Sequence, residues 1–574
     1  MEIEKEKPTQ QVYKLFKLPI EYNEKARKIF PNLKDDLELT KNIDPSKKSI
    51  YQHILNPQTN IGEQCIDKWC ETYTTDTHFL NDTQKLYKNI HDISINKENV
   101  DKMTMVWGKI KEDNNFIEKY NYMGWDKLSW LNQSKFYLSI TSLYHITSPV
   151  WNSFSPLFAI VFPFTLLKLM RVPLNMEMYK KVLTKQFQNH IIGQALFNFT
   201  SVPMYKKVYL LFMVWIYFYN IYQNVINCYR FYKNIYLITE NIHTIKEYGD
   251  ITLKNIDLVL FKIKNLPSYK KFSLELDMYR DKLYKFNKGL DLLELTGSFR
   301  KRLFDMGSIM KEYYTIYNNG ELNNILNYSL GFNGYIDNLC GLRENINSKK
   351  INQCNYGYEV EFNGLYHPAI EGKIIKNDIK LSKNKIITGP NAAGKTTLLK
   401  STIINILFSQ QMGFGYYTSA TISPYDYIHC YINIPDTSAR DSLFQAEARR
   451  CKNILTNIDE NAQARHFCIF DELFSGTNPY EAISSGYGYL DYISKKKNIN
   501  FMLTTHFVKL CKLLDKNKNI SNENMETSIK KNKPTYSYKV IPGISKIKGA
   551  ICVLQDLNYP KSILKKSEKI LKKL

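Results

Sequence analysis

Cysteine is sparse and scattered in this chain. There are ten among 574 residues, the nearest two being Cys65 and Cys70, with no second pair or histidine partner at zinc-like spacing. Neither a disulfide framework nor a Cys/His metal module is encoded. A chain of this length needs no such staple to enclose a hydrophobic core, and it has room for two to four domains. The opening stretch MEIEKEKPTQQVYK has no apolar run, so no cleaved signal peptide is expected there. No internal repeat is present. Acidic residues are in deficit, 55 against 78 Lys and Arg, a formal net charge of +23. Such a surplus suits phosphate backbones or an anionic membrane face and names neither.

Charge is also absent locally. Phe136 to Leu167 contains no Lys, Arg, Asp or Glu, and neither does Val208 to Tyr229. Each run matches the roughly 20 residues that a helix needs to cross a bilayer. Yet Pro149, Pro156 and Pro163 interrupt the first run, and Asn220, Gln223, Asn224 and Asn227 dilute the second. Between them lie Lys168, Arg171, Lys180, Lys181, Lys185, Lys206 and Lys207 against Glu177 alone. In a simple hairpin, the positive-inside tendency would place that segment in the cytoplasm and both termini on the other side. Three readings stay open: a membrane hairpin of reversed charge bias, a buried helical hairpin, and an element lying on the membrane surface.

The expected domains are residues 1–135, of unassigned role; 136–234, the apolar hairpin; 235–350, a helical lever-like region; and 351–574. The third shows helical periodicity in FSLELDMYRDKLYKFNKGLDLLELTGSFRKRLF, and Gly331, Gly334 and Gly341 are expected to loosen it.

The fourth segment carries the chemistry. In KIITGPNAAGKTTLLK a short strand, Lys385 to Thr388, runs into a loop, and a helix opens at Thr396. Gly389 and Gly394 allow backbone N–H groups to converge on phosphate oxygens, flanked by Pro390, Asn391, Ala392 and Ala393. Lys395 reaches the outer phosphates, and Thr396, followed by Thr397, supplies a hydroxyl for Mg2+. In HFCIFDELFSGT an apolar strand ends in Asp471, expected to hold Mg2+, and Glu472, expected to polarise the attacking water. A third strand, in NFMLTTHFVKL, ends at Thr504, Thr505 and His506, and His506 is the candidate to contact the γ-phosphate or hold the water.

These elements, in this order, resemble the MutS family of DNA mismatch repair ATPases, within the wider ABC-type ATPase superfamily. GLYHPAIEG and NDIKL resemble the beginning of its ATPase domain, which implies that His367 and Pro368 lie near the nucleotide base. DSLFQAEARR resembles the segment whose serine approaches the γ-phosphate held by the opposite subunit. That likeness makes Ser442 a candidate to act in trans. YKVIPGISKIKGAICVLQDLNYPKSIL resembles the family's C-terminal end, including Pro542, Gly543, Gly549 and Ala550. Ala392 stands where methionine is usual, and Arg440 and Asp441 replace the Gly-x before the serine. No LSGGQ-like signature precedes Asp471, and two apolar runs are too few for the pore of an ABC transporter. Phe116 and Glu118 match the spacing of the family's Phe-x-Glu wedge, but outside its terminal context.

The fold expected is therefore α/β, with a P-loop ABC-type ATPase domain at the C-terminus and a mainly helical region with two long apolar segments before it. The resemblance implies an ATPase using ATP and Mg2+ in a composite site of a homodimer or related heterodimer, with DNA as partner in a mismatch-repair-related process. The ATPase domain would lie on the cytoplasmic or nuclear side. The alternative is a membrane-associated mechanochemical or ATP-gated interaction protein. The end of the chain, KSILKKSEKILKKL, sets six lysines among apolar residues at helical spacing.

Overall fold

The computed structural model describes residues 15–170, 176–189, 202–293, 299–432, 442–530, 533–545 and 559–571, with a few isolated positions between them. Arg171, Arg440, Asp441, Gly549 and Ala550 lie outside the described residues. Two compact units emerge. One comprises Met1–Asp101, Thr252–Asp281 and Leu326–Leu574; the other comprises Lys102–Ile251 and Lys282–Ile325.

The first unit opens with a two-stranded antiparallel ribbon, β1 (Ala26–Lys28) and β2 (Thr72–Thr74). A mixed sheet follows, in the order β5-β4-β8-β3-β7, from β3 (Asn352–Tyr356), β4 (Glu361–Leu365), β5 (Asn377–Lys380), β7 (Phe414–Gly415) and β8 (Ser419–Ile422). The central sheet has the order β13-β12-β6-β11-β10-β9, from β6 (Asn384–Thr388), β9 (Tyr427–Tyr431), β10 (His466–Asp471), β11 (Ile499–Thr505), β12 (Ile520–Lys530) and β13 (Lys533–Pro542). All its pairings are parallel except that of β12 with β13. Strands buried on both faces read as continuous apolar runs, and Phe467 to Phe470 and Phe501 to Leu503 are fully buried. Parallel register brings Asp471 beside Thr504 and Thr505 beside Thr388, so three strand ends converge on one edge. An open α/β sheet binds its ligands at that edge.

Residues 15–101 share this unit with the phosphate loop. Two glutamines just beyond the helix Lys395–Ser409 account for much of the join. Gln411 accepts from the Tyr51 hydroxyl at 2.5 Å and donates to the Trp69 and Thr72 carbonyls. Gln410 exchanges bonds with Thr74, and Gln84 donates to the carbonyls of Cys354 and Gly413, both at 2.8 Å. Buried amides without such partners would each cost about 1–3 kcal/mol.

The helix Gly320–Asn347 runs through Gly331, Gly334 and Gly341 without interruption, contrary to the loosening expected there. Close packing explains two of these glycines. A Cβ on Gly334 would meet Ile61 at 2.9 Å, and one on Gly341 would collide with the Leu55 carbonyl. Within the same unit, Asp337 accepts from the backbone of Gln58 and from both backbone and hydroxyl of Thr59, which caps the helix Asn60–Trp69.

The second unit is helical. Its core joins Phe116, Tyr122, Tyr313 and Tyr317; Phe116 is fully buried and stacks on Tyr317 with ring centroids 3.9 Å apart. A ring so enclosed cannot serve as a wedge. The first apolar run lies in the helix Lys135–Leu169 and the second in the helix Met204–Ile263. Among the described residues no helix is long and apolar enough to cross a membrane, which removes the spanning reading. The buried reading fails as well, because Trp151, Phe162, Trp215 and Phe218 are each more than half exposed.

The prolines do not break the first of these helices. A proline inside a helix frees the carbonyl four residues earlier. The carbonyl freed by Pro149, that of His145, accepts from the Ser148 hydroxyl at 3.2 Å. The one freed by Pro156, that of Asn152, accepts from the Tyr217 hydroxyl of the facing helix at 3.3 Å.

Candidate functional site

The strand β6 ends at Thr388, and the following loop turns through Ala392 at φ 62° and Gly394 at φ 91° before the helix begins at Lys395. Glycine is required at 394. Its φ is left-handed, and a Cβ would stand 3.2 Å from the Tyr538 ring. Gly389, Pro390 and Ala393 form the buried back of the loop, while Asn391, Ala392, Gly394, Lys395, Thr396 and Thr397 line a pocket of about 450 Å3. Glu472 and His367 line the same pocket, and Pro368 is buried beside His367.

Side chains from two strand ends and the start of the helix Lys395–Ser409 interlock. The Thr396 hydroxyl donates to Asp471 Oδ2 at 2.8 Å, and the Thr504 hydroxyl donates to Asp471 Oδ1. Glu472 follows at φ 54°, its N–H bonded to the Thr504 carbonyl at 3.0 Å, and its carboxylate meets His506 Nε2 at 2.7 Å. A left-handed φ at a non-glycine residue is strained, and the neighbouring Phe474, at φ 58°, shares that strain. The same His506 nitrogen lies 3.2 Å from Lys395 Nζ, which also donates to the carbonyls of Gly389 and Pro390.

The electrostatics follow from this geometry. The hydrogen bond from His506 holds the Glu472 carboxyl below the usual carboxylate range, and Lys395 adds to the effect. Burial pushes the Lys395 pKa below that of a free lysine, while Glu472 and Asp471 pull the other way. Burial holds His367 neutral, its pKa down to about 4.

The arrangement fits a nucleotide triphosphate. The phosphate loop, the start of its helix and the buried Lys395 ammonium line the pocket, groups suited to phosphate. Tyr366, His367 and Ile370 line it as well. Among the described residues no group of three or more His, Cys, Asp or Glu is placed to hold a metal by itself. Mg2+ here would draw on Thr396, Asp471 and the phosphates, a hard oxygen set that suits it.

Ser442 lies elsewhere. It is exposed, caps the helix Leu443–Glu460, and is not on the pocket wall. That helix is nonetheless tied to the loop after Glu472. Glu447 accepts from the backbone and hydroxyl of Ser475 and from the N–H of Gly476, and Phe444 packs on Phe474.

Met525 and Tyr538 also line the pocket, and motif reading did not assign them. They arrive on β12 and β13, with Tyr538 at φ 58° in a bulged pairing whose register no local pattern announces. The YKVIPG stretch marks the place without revealing that its tyrosine turns over the phosphate loop.

Residues 385–574 match the family model of MutS domain V. The C-terminal domain is a MutS domain V. That domain is an ATPase domain, and the pocket occupies its phosphate loop. Among curated relatives, a DNA mismatch repair protein MutS of Parabacteroides distasonis is 34% identical over 229 residues, 38% of this chain and 26% of its own. One from Persephonella marina is 29% identical over 222 residues, and one from Bacteroides fragilis 34% over 221, each match covering 25% of the relative. The chain thus spans about a quarter of the length of these relatives.

Proposed function

We propose that the MutS domain V of this protein binds ATP with Mg2+ in the phosphate-loop pocket and hydrolyses it. The observation that carries the reading is the joined set Thr396–Asp471 and Lys395–His506–Glu472, which brings two strand ends and the phosphate-loop helix together beside one pocket. ATP binding would draw Lys395 from the loop carbonyls to the β- and γ-phosphates. Mg2+ held by Thr396 and Asp471 would neutralise developing charge on the phosphate oxygens. Glu472, kept ionised by His506, accepts the proton of the attacking water, and His506 holds that water in line.

Ser442, exposed and outside its own pocket, completes the site of a second copy. The functional unit is then a dimer, a homodimer or a related heterodimer. By likeness to the mismatch repair relatives, turnover is coupled to DNA in a mismatch-repair-related process.

Phosphate release tests the reading. Glu472→Gln should lower turnover by about 100-fold or more while ATP binding persists. Unchanged turnover would sink the assignment. Coupling to DNA is tested separately with the same variant: ATP-sensitive, tighter binding to a mismatched than to a matched duplex supports it, and equal binding to both opposes it.

A further inference from the structure

Within the helical unit, the distal halves of the two long helices turn aromatic side chains outward. Trp151, Phe154, Phe158, Phe162 and Leu166 recur every three or four residues along the first helix, and all are exposed. Along the second, Val208, Phe212, Trp215, Phe218, Tyr222 and Val225 do the same. The rings stack on one another in place, Trp151 on Phe158 at 4.9 Å and Trp215 on Tyr219 at 5.3 Å. The helices already satisfy each other on their facing sides. His145 stacks on Phe231 at 5.0 Å, the Cys228 thiol reaches the Ile146 carbonyl, and Tyr217 bonds to the carbonyls of Asn152 and Ser153. Closer to the core, the first helix is covered by the helix Phe299–Asn318, where Gly307 admits the backbone of Lys135 and the side chain of Ser139. The outward aromatic faces are what remains, and contiguous apolar faces of this kind mark interaction surfaces.

Charge decides what fits them. The shaft carries no Lys, Arg, Asp or Glu from Phe136 to Leu167 or from Val208 to Tyr229. Basic residues gather at its far end: Lys168 and Lys206 at the helix ends, Lys207 next to it, and exposed Lys180, Lys181 and Lys185 on the helix Met176–Asn189. Single-stranded nucleic acid requires cations interleaved with the stacking rings, because its phosphates accompany its bases. This shaft interleaves none. A second copy would cover rings but bring more lysines in place of counter-charge. An anionic bilayer meets both features, since aromatic rings settle at the interfacial level and lysines extend to the phosphates.

We propose that this hairpin docks on an anionic lipid bilayer, its aromatic faces entering the interface and its lysine-rich end pairing with lipid phosphates. No crossing is involved.

The full-length chain is tested by flotation with vesicles of phosphatidylcholine alone or mixed with phosphatidylserine. Binding should be at least tenfold tighter to the mixed vesicles and should weaken with salt. Lys180→Glu/Lys181→Glu/Lys206→Glu should lose about 100-fold, on the order of one factor of five per lysine. Phe158→Ser/Trp215→Ser should lose a similar amount, with thermal unfolding unchanged to show that the fold survives. Trp151→Phe/Trp215→Phe is milder, and should abolish most of the tryptophan quenching by brominated lipid. No flotation with either vesicle overturns the proposal, as does flotation that both sets of substitutions leave intact. If the aromatic substitutions instead halve the particle mass without vesicle binding, the occupant is a second copy. If they abolish only binding to single-stranded DNA, it is nucleic acid.

Discussion

Two buried imidazoles show how a single proton position constrains this fold. His429 Nε2 lies 3.1 Å from His466 Nδ1, and His466 Nε2 lies 3.1 Å from the Asn461 carbonyl. Both contacts are satisfied when each ring is neutral, with His466 donating to the carbonyl and accepting from His429. Phe30 stacks on His429 at 5.5 Å and closes the site to water. Burial accordingly lowers both pKa values, that of His429 to about 3. The unfolded chain takes up these protons from about pH 6.5 downward, whereas in the folded chain His466 resists further and His429 resists until about pH 3. Stability contributed by the pair is therefore present above pH 6.5 and lost as pH falls towards 3. Asp36, which burial raises to about 6, works in the opposite direction. Comparison with His429→Gln isolates the pair: thermal unfolding measured from pH 7 to pH 4 should fall less steeply in that variant, which keeps a donor towards His466.

At the scale of elements, glycine placement separates what pattern can and cannot convey. Gly394 was legible, because the loop-to-helix context around it explains a left-handed residue. Gly334 and Gly341 were not, because their reason lies on helices almost 300 residues earlier in the chain. Their sequence neighbourhood suggests a loosened helix, while the structure uses them for close approach. Gly341→Ala should therefore destabilise despite alanine's better helix propensity, by about 1–3 kcal/mol, as overpacking does. Chemical denaturation would show the lower midpoint. The apolar runs teach the same lesson. Their helical state was readable, but which face would be covered depended on Tyr217, Phe231 and the helix Phe299–Asn318.

For the whole molecule, residues 15–101 share one compact unit with the phosphate loop. A fragment of residues 351–574 would strip Gln411 of its bonds to Tyr51, Trp69 and Thr72, Gln410 of those to Thr74, and the Gly413 carbonyl of that from Gln84. It should unfold at a markedly lower temperature than the full chain, or fail to yield a cooperative transition by circular dichroism. The composite-site proposal also belongs to this scale. Lys395→Ala and Ser442→Ala should each be inactive alone, and an equal mixture should recover about a quarter of full turnover, since half the dimers would carry one intact site. No recovery on mixing, with dimers shown to exchange, would place Ser442 outside the site.

The sequence by itself determined the engine: a phosphate loop between strand and helix, an acidic pair closing an apolar strand, a histidine closing another. These are local signals, in which a few consecutive residues set the backbone angles and the groups at a strand end. Tertiary structure alone decided that Tyr538 and Met525 wall the pocket, that Phe116 is core, that the N-terminal residues brace the phosphate-loop helix, and that the hairpin's rings face outward. Each of those outcomes depends on burial, and burial is set by partners distant in the chain.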